Sequence, residues 1–193
     1  MRRVCIFCGS NHGARAVYCE AAERMGRALA RRGLGLVYGG GCVGLMGVLA
    51  DAVLAEGGEA IGVIPEAMVA KELAHHGLTE LRVVRSMHQR KALMAELADA
   101  FVALPGGLGT LEEFCEMLTW AQLGLHGKPC GLLNVEDYYA ALLRLLDHAQ
   151  AETFLRPEHR SMILVADQPD PLLDMLAAYR PPQGEKWIDR EQA

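Results

Sequence analysis

Three glycine-rich turns, beginning at Gly9, Gly39 and Gly106, each follow a short apolar run and lead toward a helix-like stretch. Apolar strands alternating with helices imply βαβ units and a mainly parallel sheet covered on both faces. Right-handed crossovers then place the turns after the strands along one edge, where the three glycine turns can meet in one crevice. The pattern predicts strands at Val4–Cys8, Leu34–Tyr38, Ala60–Ile64, Leu81–Val84, Ala100–Leu104, Cys130–Leu133 and Met162–Val165. Helices are expected at about 14–32, 44–55 and 86–97, from about Thr110, after Leu133, and beginning near Pro169 and Pro171. The expected organisation is one α/β domain over residues 1–180, a three-layer α/β/α sandwich, followed by a polar tail at 181–193.

The third turn carries the strongest chemical signal. Pro105-Gly106-Gly107-Leu108-Gly109-Thr110-Leu111-Glu112-Glu113 follows an apolar strand and opens a helix. Its glycines let the backbone turn tightly and come close to a ligand. A helix start presents unpaired N–H groups and the positive end of the dipole, which together suit an anion and above all a phosphate. Glu113 then has two readings. With Thr110 as N-cap, Thr110 to Glu113 matches a capping box and needs no catalytic explanation. Beside a phosphate site, the same carboxylate is a candidate for chemistry, while Glu112 sits one step around the helix and can point away.

Composition narrows the partners. A chain of 193 residues with 51% hydrophobic content has enough apolar material for a core and does not resemble a disordered one. The net charge is -5 and no block of Lys or Arg stands out, so nucleic acid is not an expected partner. No apolar run is long enough to cross a bilayer, and a strand begins almost at once, unlike a secretory signal; a cytoplasmic protein without membrane partners is expected. Cys5, Cys8, Cys19, Cys42, Cys115 and Cys130 mostly lie inside apolar patterns, so they are read as reduced thiols rather than a disulfide set or metal site.

On the expected 86–97 helix, Met87, Arg90, Met94 and Leu97 are spaced three and four apart and share a face. A guanidinium in an apolar stripe needs a partner or a solvent-filled cleft. It either snorkels or pairs structurally, or it serves a ligand in a cleft. Lys91 adds an anion contact or is simply solvated, and His88 reads as a substrate or supporting hydrogen bonder. The stretch Gly39 to Gly47 resembles a dinucleotide fingerprint with Glu59 as its acidic residue, yet it follows the second strand and the pattern has weak specificity. Its alternative is a tight turn with Gly44 and Gly47 packed on the sheet. Ser10 divides between a helix cap and a ligand contact.

Ser86-Met87-His88-Gln89-Arg90-Lys91, followed by the Pro105 to Glu113 motif, closely resembles the LOG, or "Lonely guy", family of nucleoside 5′-monophosphate phosphoribohydrolases. The likeness extends through Thr119-Trp120-Ala121-Gln122-Leu123-Gly124, Lys128-Pro129 and Gly131-Leu132-Leu133-Asn134, and earlier through Gly9-Ser10, Gly39-Gly40-Gly41 and Gly44-Leu45-Met46-Gly47. It covers residues 3 to 178, and the paired motifs make it specific. The resemblance implies a Rossmann-like homodimer that cleaves the N-glycosidic bond of adenosine-type monophosphates to free base and ribose 5-phosphate, with no cofactor and no metal. In cytokinin-activating members the base carries an N6-isoprenoid group, and bacterial relatives also use AMP.

The same resemblance assigns catalysis to Arg90 and Glu113. It places substrate contacts at Glu72, Arg90, Lys91, Thr119 and the run Gly107, Leu108, Gly109, Thr110, Leu111, Glu112 and Glu113. Ser10, Gly41, Gly44 and Met87 complete the expected substrate-binding set. Helices carrying Met25, Met46, Met94 and Met117 offer an apolar face for the dimer, which core packing explains equally well. Two other functions are kept in view: a non-catalytic nucleotide or cofactor carrier on the same fold, and a pyridoxal-phosphate-dependent lysine decarboxylase, the older name given to such proteins.

Overall fold

Strand β1 (Arg3–Phe7) sends Val4 and Ile6 to one face and Cys5 and Phe7 to the other, each into a different apolar cluster. This period of two repeats in β2 (Gly35–Tyr38) and β5 (Ala100–Ala103), whose residues are all buried. Strands β3 (Ala60–Pro65), β4 (Glu80–Val84), β6 (Cys130–Leu133) and β7 (Ile163–Ala166) complete the sheet. Its order is β4-β3-β2-β1-β5-β6-β7, and every neighbouring pair is parallel. The computed structural model describes residues 1–69 and 73–182.

Helices α1 (Ala16–Arg31), α2 (Gly44–Ala55) and α8 (Pro169–Ala178) cover the Val4 and Ile6 face. Helices α4 (Met87–Leu97), α5 (Leu108–Gln122) and α6 (Ala140–Ala151) cover the other. The result is the expected Rossmann-like α/β/α arrangement. Two four-residue helices, α3 (Glu66–Val69) and α7 (Pro157–Arg160), escaped the sequence reading because one turn is too short to display a 3.6-residue period. The expected strand boundaries lie within two residues of the observed ones. The first helix begins two residues later than expected, and α5 begins at Leu108, two residues before Thr110.

The chain runs β1 to β4 outward on one side, then returns to place β5 against the other side of β1. A crevice opens at such a reversal, beyond the carboxyl ends of the two central strands. The turns after β1 and β5 are those beginning at Gly9 and at Pro105. Glu59 lies at the opposite end of the sheet, where Arg3 Nε donates to it at 2.8 Å. It is therefore not the acidic partner of a dinucleotide site, and that reading of the Gly39 to Gly47 stretch fails.

Packing decides between the two readings of the methionines. Met25, Met94 and Met117 are almost wholly buried in the core, and Met46 is partly buried and packed against it, so core packing accounts for these side chains. Core methionines fill irregular gaps, and here that role takes them all. The six cysteines are free thiols, and burial pushes the Cys130 thiol up to about 12. Among the described residues, no helix is long and apolar enough to cross a membrane.

Candidate active site

The three glycine turns do converge. Gly9 N–H donates to the Pro105 carbonyl at 3.0 Å, joining the turns after β1 and β5. Leu45 N–H donates to the Gly9 carbonyl at 3.0 Å, joining the turn after β1 to the start of α2. Gly44 has a left-handed φ of 59° and lies against the backbone of Ser10 and Asn11, so a side chain there would be both strained and obstructed. Gly47 packs on the Cys42 carbonyl. These glycines therefore fit turn against turn, rather than helix against sheet as the sequence suggested.

At the third turn, Gly107 is the N-cap of α5 and the first intrahelical bond runs from Leu111 N–H to the Gly107 carbonyl at 3.1 Å. The N–H groups of Leu108, Gly109 and Thr110 precede it, which leaves a helix start furnished with donors. A β-carbon at Gly107 or Gly109 would meet open space, whereas one at Gly106 would run into Thr110. Thr110 is buried within the first turn, so it does not cap the helix and the expected Thr110 to Glu113 box does not form. A reciprocal cap sits on α4 instead: Ser86 Oγ accepts from Gln89 N–H at 3.2 Å, and Gln89 Oε1 accepts from Arg85 N–H at 3.0 Å.

Freed from capping, Glu113 reaches across to α4. Arg90 Nη1 donates to Glu113 Oε1 at 2.6 Å, and Arg90 Nε donates to the Val63 carbonyl at the end of β3 at 3.0 Å. The two side chains are 9% and 11% exposed, so the pair is almost sealed from water. Burial raises the Glu113 carboxyl above its ordinary value, and the neighbouring Arg90 charge opposes that rise. Gly39 provides the surface beneath the guanidinium, because any β-carbon there would fall on Nη2.

Lys91 is neither solvated nor directed at open anion space. Its ammonium is held by Glu112 and, at 3.0 Å, by Glu116 of α5, and these bonds raise its pKa against the opposing effect of burial. Glu112 thus points to α4 rather than away. The buried face of α4 comprises Arg90, Lys91, Met94 and Ala95, while Met87 is 44% exposed at the helix start and His88 is exposed. The stripe inferred from three- and four-residue spacing is rotated toward Lys91.

The remaining expected site residues fall in different places. Ser10 is exposed beside Gly44 and caps no helix, since the N-cap of α1 is Arg15. Gly41 bridges antiparallel to Ala74, and Cys42 N–H donates to the Leu73 carbonyl at 3.0 Å. His75, bonded through Nε2 to Asp51 of α2 at 3.0 Å, fastens this 73–77 strap onto the turn. Glu72 lies outside the described residues. Leu108 is 86% exposed and Leu111 half-buried on α5. Thr119 bonds its own helix, at the Cys115 carbonyl 2.8 Å away, and sits about 9 Å along the axis from Glu113. It is not brought to the Arg90–Glu113 pair. Val63 and His75 were not anticipated, since the first acts through its carbonyl and the second through a bond from the strap, and neither leaves a motif; Gly39 was expected in the crevice with its turn, but its place beneath the Arg90 guanidinium was not.

The family model described as possible lysine decarboxylase matches residues 46–176. A cytokinin riboside 5′-monophosphate phosphoribohydrolase of Rhodococcoides fascians is 59% identical over 165 residues, covering 85% of this chain and 83% of that protein. A probable enzyme of the same name from Oryza sativa subsp. japonica is 50% identical, covering 98% of this chain and 77% of its own. Another from Arabidopsis thaliana is 49% identical, covering 93% and 85%. Among solved structures, the molybdenum cofactor binding protein of Rippkaea orientalis superposes with a TM-score of 0.69 at 18% identity, over 92% of this chain and 97% of that one. The molybdenum cofactor carrier protein of Chlamydomonas reinhardtii matches at the same TM-score and identity, over 92% and 99%. At that identity the two structures speak to fold alone.

Proposed function

This chain belongs to the family described as possible lysine decarboxylase, the LOG family that its motifs resemble, and we propose that it cleaves adenosine-type nucleoside 5′-monophosphates at the N-glycosidic bond. The products are a free base and ribose 5-phosphate. The carrying observation is the sealed Arg90–Glu113 pair, seated one and a half turns from a helix start rich in unpaired N–H donors. The donors of Leu108, Gly109 and Thr110 hold the 5′-phosphate, which aligns the ribose with Glu113.

Bond cleavage develops positive charge at C1′ and negative charge on the departing base. The Glu113 carboxylate stabilises the sugar, orients its hydroxyls or activates water at C1′. The Arg90 guanidinium offers donors and no acceptor and so is no general base; it fixes the carboxylate, and the Val63 carbonyl fixes Arg90. AMP and N6-modified cytokinin nucleotides are the substrates proposed, in a cytoplasmic homodimer. Ser10, Gly41 and Gly44 line the crevice beside the nucleotide.

A decarboxylase using pyridoxal phosphate needs a lysine whose amine loses its proton readily. Lys91 is bound by two carboxylates that push it the other way, and Lys128 donates to the Ala95 carbonyl at 2.6 Å. Among the described residues, neither lysine fits that group. The test is incubation of purified protein with AMP and with N6-isopentenyladenosine monophosphate, quantifying base and ribose 5-phosphate. Turnover of either above a Glu113→Gln control supports the reading. Lysine-dependent carbon dioxide release requiring added pyridoxal phosphate would replace it, and nucleotide binding without product would make the protein a carrier.

A further inference from the structure

Three successive carbonyls of the phosphate turn are each held by a donor from outside it. Tyr139 Oη donates to the Leu104 carbonyl at 2.6 Å, Gly9 N–H to that of Pro105 at 3.0 Å, and Tyr138 Oη to that of Gly106 at 2.6 Å. Tyr139 is buried, and its bond satisfies a core carbonyl. Tyr138 is 41% exposed, so water could serve the Gly106 carbonyl equally well, and burial does not account for the bond.

The chain goes to some trouble to place this phenol. Glu136 and Asp137, immediately before it, both take left-handed φ angles, 49° and 58°, which cost energy for residues with a β-carbon. The tight turn is closed by Tyr138 N–H donating to the Val135 carbonyl at 3.0 Å and by Tyr139 N–H donating to Asn134 Oδ1 at 2.8 Å. Arg15 anchors Glu136 at 2.8 Å. The Tyr138 ring is held edge-on between Tyr18, 5.7 Å away, and Tyr139, 5.0 Å away. Ring, backbone and neighbouring charge all fix one hydroxyl on one carbonyl.

A trans peptide holds its C=O and N–H in one plane, pointing in opposite directions. Fixing the Gly106 carbonyl therefore fixes the direction of the Gly107 N–H, which points away from Tyr138. Glycines on both sides of that peptide would otherwise leave its plane free to rotate. We propose that Tyr138 is a positioning residue that locks the Gly106–Gly107 peptide so that the Gly107 N–H joins the α5 donors around a phosphate monoester. This rests on the nucleotide 5′-monophosphate reading. Tyr138 touches the turn and not the substrate, and its contribution is to remove the cost of ordering the donor when phosphate arrives.

Tyr138→Phe removes the hydroxyl and retains the ring between Tyr18 and Tyr139. Binding of ribose 5-phosphate, followed by calorimetry, should weaken about 3- to 10-fold, the scale of one hydrogen bond. KM for AMP should rise by the same factor with kcat little changed, since ground state and transition state share the phosphate contact. Binding of adenosine, which lacks the phosphate, should be unaltered, and thermal melting should be close to wild type. Unchanged ribose 5-phosphate affinity, or equal losses for AMP and adenosine, would overturn the proposal and leave Tyr138 a packing residue. Wild-type protein that binds ribose 5-phosphate but never cleaves AMP defeats the catalytic reading alone, and the Tyr138→Phe comparison still decides this one. Wild-type protein that binds no phosphate monoester defeats both.

Discussion

The guanidinium of Arg90 occupies the space that a β-carbon on Gly39 would fill, so the turn just past β2 is the bed on which this sealed cation lies. The contact explains why two elements far apart in sequence must stay in register. Gly39 does not have a left-handed φ, so alanine is compatible with its backbone. Gly39→Ala should therefore fold, displace Arg90 from Glu113 and Val63, and lower kcat/KM by about 100-fold, the usual cost of misplacing a catalytic group by an ångström. Steady-state kinetics alongside a thermal melt test this; a folded variant with normal kcat/KM would show that the packing is incidental.

Gly109 offers the converse case. A methyl group there meets no protein atom, and alanine is the better helix former by roughly 1 kcal/mol. Gly109→Ala should melt at or above the wild-type temperature while KM for AMP rises several-fold, because the added methyl crowds the donors at the start of α5. A KM at the wild-type value would mean that the phosphate does not sit over Gly109.

Much of this arrangement was legible in the sequence because glycine position reports backbone geometry. The turns at Gly9, Gly39 and Gly106 marked strand ends, and right-handed crossovers left one edge for all three. The pairing of Arg90 with Glu113 was harder to read. The Thr110 to Glu113 spacing fits a cap as well as a catalyst, and only the position of the N-cap, Gly107 rather than Thr110, separates the two. Lys91 was misjudged for a related reason: spacing along α4 defines a face but not the carboxylates of α5 that pack against it. Tyr138 and His75 leave no periodic signal, since each acts through a single bond formed by a tight turn or a strap.

The pH dependence should carry the signature of a buried carboxyl. Burial raises Glu113 above its ordinary value, so its proton is held more tightly in the folded than in the unfolded chain. Two consequences have the same origin. The acid limb of kcat/KM should lie above the ordinary glutamate value of about 4.3. The Glu113 contribution to stability should decline as pH rises from the unfolded toward the folded pKa, opposite in sign to Glu59 and Asp99, whose carboxyls are held low by Arg3 and by the Arg2 and Arg3 N–H groups. A rate profile measured from pH 4 to 8 with AMP checks the first; a limb at the ordinary value or below would detach it from Glu113.

Assembly is open to a direct measurement. Leu108 at 86% exposure, Leu145 at 61% and Phe154 at 89% are large apolar side chains left uncovered, whereas the core methionines are not. Sedimentation should give a mass of about twice 21.0 kDa, and Phe154→Ser or Leu108→Ser should shift it toward the monomer if either residue lies in the contact. A monomer mass at every concentration would remove the homodimer from the reading.

Glu113→Gln remains the sharpest test of mechanism. The substitution keeps an acceptor for Arg90 Nη1 but removes the charge, leaving the guanidinium with the Val63 carbonyl and a neutral amide. Because the native pair is nearly sealed from water, some stability must be lost, about 1–3 kcal/mol for a weakened hydrogen bond to a charged group. A simple capping role would have cost about 1 kcal/mol and left turnover intact. If the carboxylate acts at C1′, turnover should fall at least ~100-fold, or roughly 3 kcal/mol in the transition state, while AMP affinity changes far less. Single-turnover product formation, measured on protein shown by its melt to be folded at the assay temperature, separates the chemistry from product release and from unfolding. Wild-type chemistry in folded Glu113→Gln would take the carboxylate out of the mechanism and leave the Arg90 pair as scaffolding for the crevice.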